Sequence, residues 1–186
     1  MKSIFKTKMY LPSMNYQTVY DIDFNKLYSD GKRYILTDLD NTIISYAFSS
    51  PTEKEKKLFN DLKEIGFKIV IVSNSPSSRV KGFTTELDVF GISSSKKPLL
   101  SGMKRALRHL GNPNKEEVIF LGDQLMTDVL VGNRLGIDTF FVLPLEVKSE
   151  KWYTKINRRL EKIVVRKVKK KHPDEYKKLL GDRYGD

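Results

Sequence analysis

The chain has 186 residues, 39% hydrophobic and 31% charged, which suits one α/β domain with its own core and is short for two. It has no cysteine, and its two histidines, His109 and His172, stand far apart, so disulfides, thiolate zinc sites and cysteine nucleophiles are excluded. Any metal must be a hard ion held by oxygen, Mg²⁺ before Zn²⁺, and the formal charge of +11 asks for an anionic partner: a phosphorylated substrate, RNA or acidic lipid.

No apolar run nears the roughly 18 residues that span a bilayer. No signal core follows the basic residues 1–10, so a cytoplasmic protein is expected. Short apolar runs alternate with amphipathic stretches through the middle of the chain, the pattern of βα units on a parallel sheet. Residues 34–38 predict a buried strand. Residues 52–65 predict a helix with Thr52 as N-cap, Glu55 at the capping-box position, Leu58, Leu62 and Ile65 as its stripe, and Gly66 at its end. A strand over 68–73, broken by Asn74-Ser75-Pro76, leads to a helix over 78–87. A short strand then precedes a helix over 100–110, closed by Gly111; His109, flanked there by Leu107 and Leu110, is expected to be structural or exposed. Residues 118–122 predict a strand running into Asp123, 126–135 a helix closed by Gly136, and 139–143 a last strand. The expected fold is α/β: a single doubly wound, Rossmann-like parallel sheet over residues 1–145, followed by a basic helical extension over 146–186.

In such sheets ligands bind outside the carboxyl ends of the strands, and three predicted strands end there in Asp38, Ser73 and Asp123. Asp38 and Asp40 can both face one site once the backbone leaves the ladder, one attacking or holding metal and the other carrying a proton. The same segment also reads as an Asp-rich turn, with Asn41 left-handed and Thr42 as an N-cap. Ser73-Asn74 can hold phosphate oxygens through its hydroxyl and backbone N–H groups, or simply turn the chain. Lys97 can neutralise a phosphoryl oxygen, or belong to a solvated basic loop. Asp123 and Asp128 can reach a cation shared with Asp38; Asp128 alone also suits a helix N-terminus.

Asp38-x-Asp40-x-Thr42, a strand-ending Ser73-Asn74, Lys97-Pro98 and Gly122-Asp123 followed by Asp128 occur in that order, which resembles the four-motif signature of the haloacid dehalogenase superfamily over roughly residues 34–142. That resemblance implies Asp38 as the nucleophile that forms an aspartyl-phosphate and Asp40 as the acid and base. Ser73 and Lys97 would orient and neutralise the phosphoryl group, with Asn74 and Arg79 beside the substrate. It implies Mg²⁺ on the carboxylates of Asp38 and Asp123 and the backbone carbonyl of Asp40, with Asp128 bound directly or in support. The family's dehalogenases lack an acid at the position of Asp40 and its phosphatases keep one, so phosphomonoester hydrolysis is the implied reaction.

Cap domains in that superfamily interrupt the chain after the first or second motif, and neither interval has room for one here. An open site favours a large substrate, or a partner that supplies the lid. Leu11-Pro12, residues 20–23 and 37–42, Arg79-Val80, Gly122-Asp123-Gln124, Thr127-Asp128 and Asn157-Arg158-Arg159 extend the likeness to the capless YqeG phosphatases. Ser75-Pro76 departs from it, since those relatives often carry further Asn there. That family is similar to mitochondrial phosphatidylglycerophosphate phosphatases, which implies a lipid phosphate; some members lie beside ribosome-assembly GTPases.

Residues 146–186 hold 14 Lys and Arg against 7 Asp and Glu. Within them Trp152, Ile156, Leu160, Ile163 and Val164 fall near helical spacing, ringed by lysine and arginine. That stripe can lie on an anionic membrane from the cytoplasmic side, contact ribosomal RNA, or pack on the domain. The alternative to an enzyme is a ribosome- or RNA-binding module built on a phosphatase fold.

Overall fold

The computed structural model describes residues 7–146 and 152–185, with the side chains of all but 152–156. Six strands, β1 (Met14–Tyr16), β2 (Tyr34–Thr37), β3 (Lys68–Val72), β4 (Phe90–Ile92), β5 (Val118–Gly122) and β6 (Asp138–Val142), form one sheet in the order β1-β6-β5-β2-β3-β4. Every pairing is parallel. Alternation along each strand divides the core between the two faces. Ile69 and Ile71 enter one buried cluster and Val70 and Val72 the other; in β5, Ile119 and Leu121 part from Val118 and Phe120 in the same way. Strands buried on both faces read as continuous apolar runs, which is why the central ones were legible.

The first cluster is covered by α1 (Phe24–Ser29), α2 (Glu53–Ile65) and α3 (Ser77–Leu87), the second by α4 (Leu100–His109) and α5 (Leu130–Leu135). The start of α2 is the expected capping box: Thr52 N–H donates to Glu55 Oε2 at 2.8 Å, while left-handed Gly66 ends the helix. His109 is exposed and stacks on Phe90. The β2–β3 and β3–β4 connections each hold one helix.

Three expectations need correction. β1 was not foreseen; it is a three-residue edge strand whose register on β6 is set by neighbours 126 residues away, such as Ser13 with Thr139. The helix expected over 126–135 begins as a π-helical turn, Leu125–Val129, and becomes α-helical only at Leu130. There the Gln124 carbonyl accepts from both Asp128 N–H and Val129 N–H, which widens the turn.

The third correction concerns the C-terminal stripe. Two helices, α6 (Trp152–Lys171) and α7 (Pro173–Tyr184), separated at His172-Pro173, lie against the domain. The face of α6 that packs is Glu161, Val164, Val165 and Val168, joined by Tyr176 and Leu180 of α7 on Tyr10, Leu125, Val129 and Phe141. Leu160 and Ile163, assigned to the stripe from their spacing, are exposed. A buried glutamate in the packed face disguised it. The side chains of Trp152 and Ile156 fall outside those described.

Candidate active site

Three loops and one helix meet at the carboxyl edge of the sheet. Beyond β2, Asp38 keeps one more rung of the ladder, donating its N–H to the Leu121 carbonyl at 2.9 Å. The chain then turns through Asn41, which is left-handed at φ 63°. So the Asp-rich turn and the acidic pair are one structure. Thr42 caps no helix and instead points its hydroxyl at Asp123, Oγ1 to Oδ1 at 3.4 Å. Beyond β3, Ser73 donates its N–H to Ile92 across β4. Asp38, Asp40, Ser73, Asn74 and Lys97 line one cleft, together with Tyr46, Ser75, Gln124, Thr127 and Asn157.

Lys97 stands at its centre. Its ammonium lies 2.7 Å from Asp38 Oδ1 and 2.9 Å from Asp128 Oδ1, and its side chain is almost fully buried. Burial alone would lower its pKa, but the carboxylates of Asp128 and Asp38 outweigh that and hold it up. Asn74 fixes the segment that delivers Lys97: its amide oxygen accepts from Lys97 N–H at 2.8 Å and Ser95 Oγ at 2.7 Å, and its Nδ2 donates to the Lys97 carbonyl. The Asn74 side chain, expected beside substrate, is thus taken up in positioning Lys97.

Asp40 is held on the other side of the cleft. Arg79 Nε donates to Oδ1 at 2.6 Å, Ser75 Oγ donates to Oδ2 at 2.5 Å, and Ser73 Oγ reaches Oδ2 at 3.4 Å. Arg79 also binds the carbonyls of Phe48 and Ser45, tying α3 to the loop after β2. Ser75 therefore touches one of the two acids that open the first motif.

Asp38, Asp123 and Asp128 are buried together, with carboxylate oxygens that lie within 4.8 Å of one another. Asp128 is bent back over the strand end, its Oδ2 accepting from Gln124 N–H at 3.1 Å. Gly122 makes that approach possible, because a Cβ there would stand 2.3 Å from Asp128 Cβ. The Asp40 side chain is outside this group. The fourth partner comes from α6: Arg158 pairs its Nη2 with the Asp123 carboxylate and donates Nη1 to the Asp123 carbonyl at 2.7 Å. Arg158 is in turn 3.6 Å from Glu161, which also faces Arg183 at 3.7 Å, accepts from Leu125 N–H and pairs with Tyr184. The Asn157-Arg158-Arg159 likeness marks this segment but gives Arg158 no role, because its partner is 35 residues away across a helix packing.

Burial pushes the Asp38 carboxyl well above its ordinary range, against the pull of Lys97. Burial likewise raises Asp123 to about 6, against Arg158. Five carboxylates (Asp38, Asp40, Asp123, Asp128 and Glu161) face four cations (Lys97, Arg79, Arg158 and Arg183), which leaves negative charge in excess. An all-oxygen cluster with that excess fits a hard divalent cation, which would restore the ionised form of the buried acids.

A family model, the haloacid dehalogenase-like hydrolases, matches residues 13–136. The probable phosphatase YqeG of Bacillus subtilis is 35% identical, over 88% of this chain and 94% of its own length. The chain belongs to the haloacid dehalogenase-like hydrolase family. This hydrolase is a phosphatase, as its YqeG-like relative is named. The chloroplastic phosphatidylglycerophosphate phosphatase 1 of Chlamydomonas reinhardtii is 25% identical, over 83% of this chain and 61% of its own length. A hypothetical protein from Xanthomonas campestris shares the fold with a TM-score of 0.50, at 14% identity over 77% of this chain and 80% of its own.

Proposed function

We propose that this hydrolase cleaves phosphomonoesters through an aspartyl-phosphate on Asp38. The observation that carries the reading is the Lys97 ammonium shared by Asp38 and Asp128, beside a separately held Asp40. Asp38 attacks phosphorus, the bond from phosphorus to the alcohol oxygen breaks, and Asp40 gives that oxygen a proton. Asp40 then takes a proton from water as the water oxygen attacks phosphorus. The Asp38–phosphorus bond breaks, releasing phosphate and the Asp38 carboxylate. Lys97 and Ser73 hold the phosphoryl oxygens, with Arg79 near enough to share in binding while it orients Asp40. Asp38, Asp123, Asp128 and the Asp40 carbonyl would hold Mg²⁺, which supplies charge neutralisation for an anionic nucleophile approaching an anionic phosphate.

The connections after β2 and β3 carry one helix each, which supports an uncapped site open to a large substrate. The phosphatidylglycerophosphate phosphatases among the relatives favour a lipid phosphate, with the enzyme at the cytoplasmic face of a membrane. No helix among the described residues is long and apolar enough to cross one. Residues 1–145 would be the phosphatase domain, and 146–186 an extension that also completes the site through Arg158. Binding to RNA through the basic extension is a second role that the net charge alone supports. The test is Mg²⁺-dependent phosphate release from a soluble chromogenic phosphomonoester, then from a panel that includes phosphatidylglycerophosphate. Turnover is expected on both, and its loss in Asp38→Asn. No release from any phosphomonoester overturns the proposal.

A further inference from the structure

Among the described residues, seven large hydrophobic side chains are exposed: Met14, Phe48, Phe90, Leu99, Leu145, Leu160 and Ile163. Their placement is uneven. In a sheet whose strands all run parallel, every strand's carboxyl end lies at one edge. Met14 and Phe90 open β1 and β4, and so sit at the opposite edge. Phe48, 50% exposed, is on the loop after β2, and its carbonyl accepts from Arg79, the residue on Asp40. Leu99, 54% exposed, follows Lys97 by two residues; Leu145, 42% exposed, donates its N–H to the Asn41 carbonyl. Leu160 and Ile163, 44% and 50% exposed, lie one and two turns along α6 from Asn157, which lines the cleft. Five of the seven therefore belong to segments that leave the catalytic edge, and no other part of the described surface gathers them so.

Exposed cations stand among them. Lys96 adjoins the Leu99 segment, and Arg159 and Lys162 flank Leu160 on α6. We propose that the rim of the cleft, formed by Phe48, Leu99, Leu145, Leu160 and Ile163 with these cations, is a landing surface for an anionic lipid bilayer, so that the site opens onto the plane of the membrane. The proposal rests on the phosphatase reading only for what the rim surrounds. A bilayer is the occupant the chemistry favours. Scattered aliphatic side chains beside lysine and arginine insert at the boundary of headgroup and acyl chain, where each gains from burial while the cations meet lipid phosphate. Single-stranded RNA would instead use aromatic stacking platforms, and among the described residues Phe48 is the one exposed aromatic on this rim. A second copy of the chain would bring two molecules of charge +11 together through their cationic edges.

The test uses the full chain in flotation with vesicles of phosphatidylcholine alone, or mixed with phosphatidylglycerol. The partner variant is Phe48→Ser/Leu160→Ser/Ile163→Ser, which removes apolar surface without changing charge. Its thermal midpoint should match the parent, since all three side chains are exposed. We expect the parent to float with the mixed vesicles and not with phosphatidylcholine. The variant should bind about tenfold more weakly at the same salt, with turnover of a small soluble phosphomonoester unchanged. A folded parent that ignores mixed vesicles overturns the landing surface, as does a variant that binds them as tightly. So does a parent that is dimeric where the variant is monomeric, since a second copy then covers the rim. Failure to hydrolyse the soluble ester would sink the phosphatase reading instead, and the flotation result would still decide the rim.

Discussion

Arg158, on the first C-terminal helix, holds both the carboxylate and the carbonyl of Asp123 at the end of β5. One guanidinium thus compensates a fully buried acid and ties the extension to the acidic cluster. Arg158→Ala leaves that acid only Arg183, whose Nη2 lies 3.4 Å from the Asp123 carbonyl, so breaking the buried pair should cost up to about 3 kcal/mol. Denaturant unfolding should report a loss of that size in metal-free protein, with a larger share returned by Mg²⁺ than in the parent. Arg158→Lys keeps the charge but loses the two-pronged contact, and should fall between.

Gly122 offers a test confined to geometry. An added Cβ would meet Asp128 Cβ at 2.3 Å and Cγ at 2.6 Å. Gly122→Ala should therefore displace Asp128 from Lys97 and from the acidic cluster. The expected result is a loss of at least about tenfold in kcat, together with a weaker thermal response to Mg²⁺.

Arg79 and Ser75 set the direction of Asp40 without belonging to the acidic cluster. Arg79→Ala should lower kcat by about tenfold to a hundredfold, less than Asp40→Asn, since acid–base catalysis is worth roughly 10²–10⁴. Steady-state kinetics on a soluble ester measures both.

Asp138 tests the edge strand. Burial pushes its carboxyl up, but hydrogen bonds from Lys32 Nζ at 2.6 Å and Ser13 Oγ at 2.9 Å outweigh it and hold the pKa below its usual 3.8. A lowered folded pKa means stability that is present above the unfolded value and lost as pH falls through the folded one. Asp138→Asn should therefore be less stable than the parent at neutral pH, by no more than about 1 kcal/mol given its half-exposed side chain. The gap should close below about pH 4. Thermal midpoints across that range would show it.

The central strands, the capped helix at Thr52 and the four motifs were legible because each is local: an apolar run, a Thr-x-x-Glu box, an acid beyond a strand. What escaped was set by partners distant in sequence. Residues 14–16 become a strand only because β6 offers an edge. The packed face of α6 contains Glu161, whose burial makes sense only beside Arg158, Arg183 and Tyr184. Asn74 and Arg79 lie in the expected region, but their side chains hold Lys97 and Asp40.

A covalent intermediate would place the phosphoryl group on Asp38, where it can be sought directly. The chain carrying Asp40→Asn, which leaves Asp38 intact and removes the base of the second step, is mixed with Mg²⁺ and a chromogenic phosphomonoester whose leaving group departs without a proton, quenched in acid and analysed by peptide mass spectrometry. One added phosphoryl group is expected on the peptide containing Asp38, and none in Asp38→Asn. Phosphate release by Asp38→Asn at the parent's rate, or a phosphoryl group on any other residue, would contradict an intermediate on Asp38.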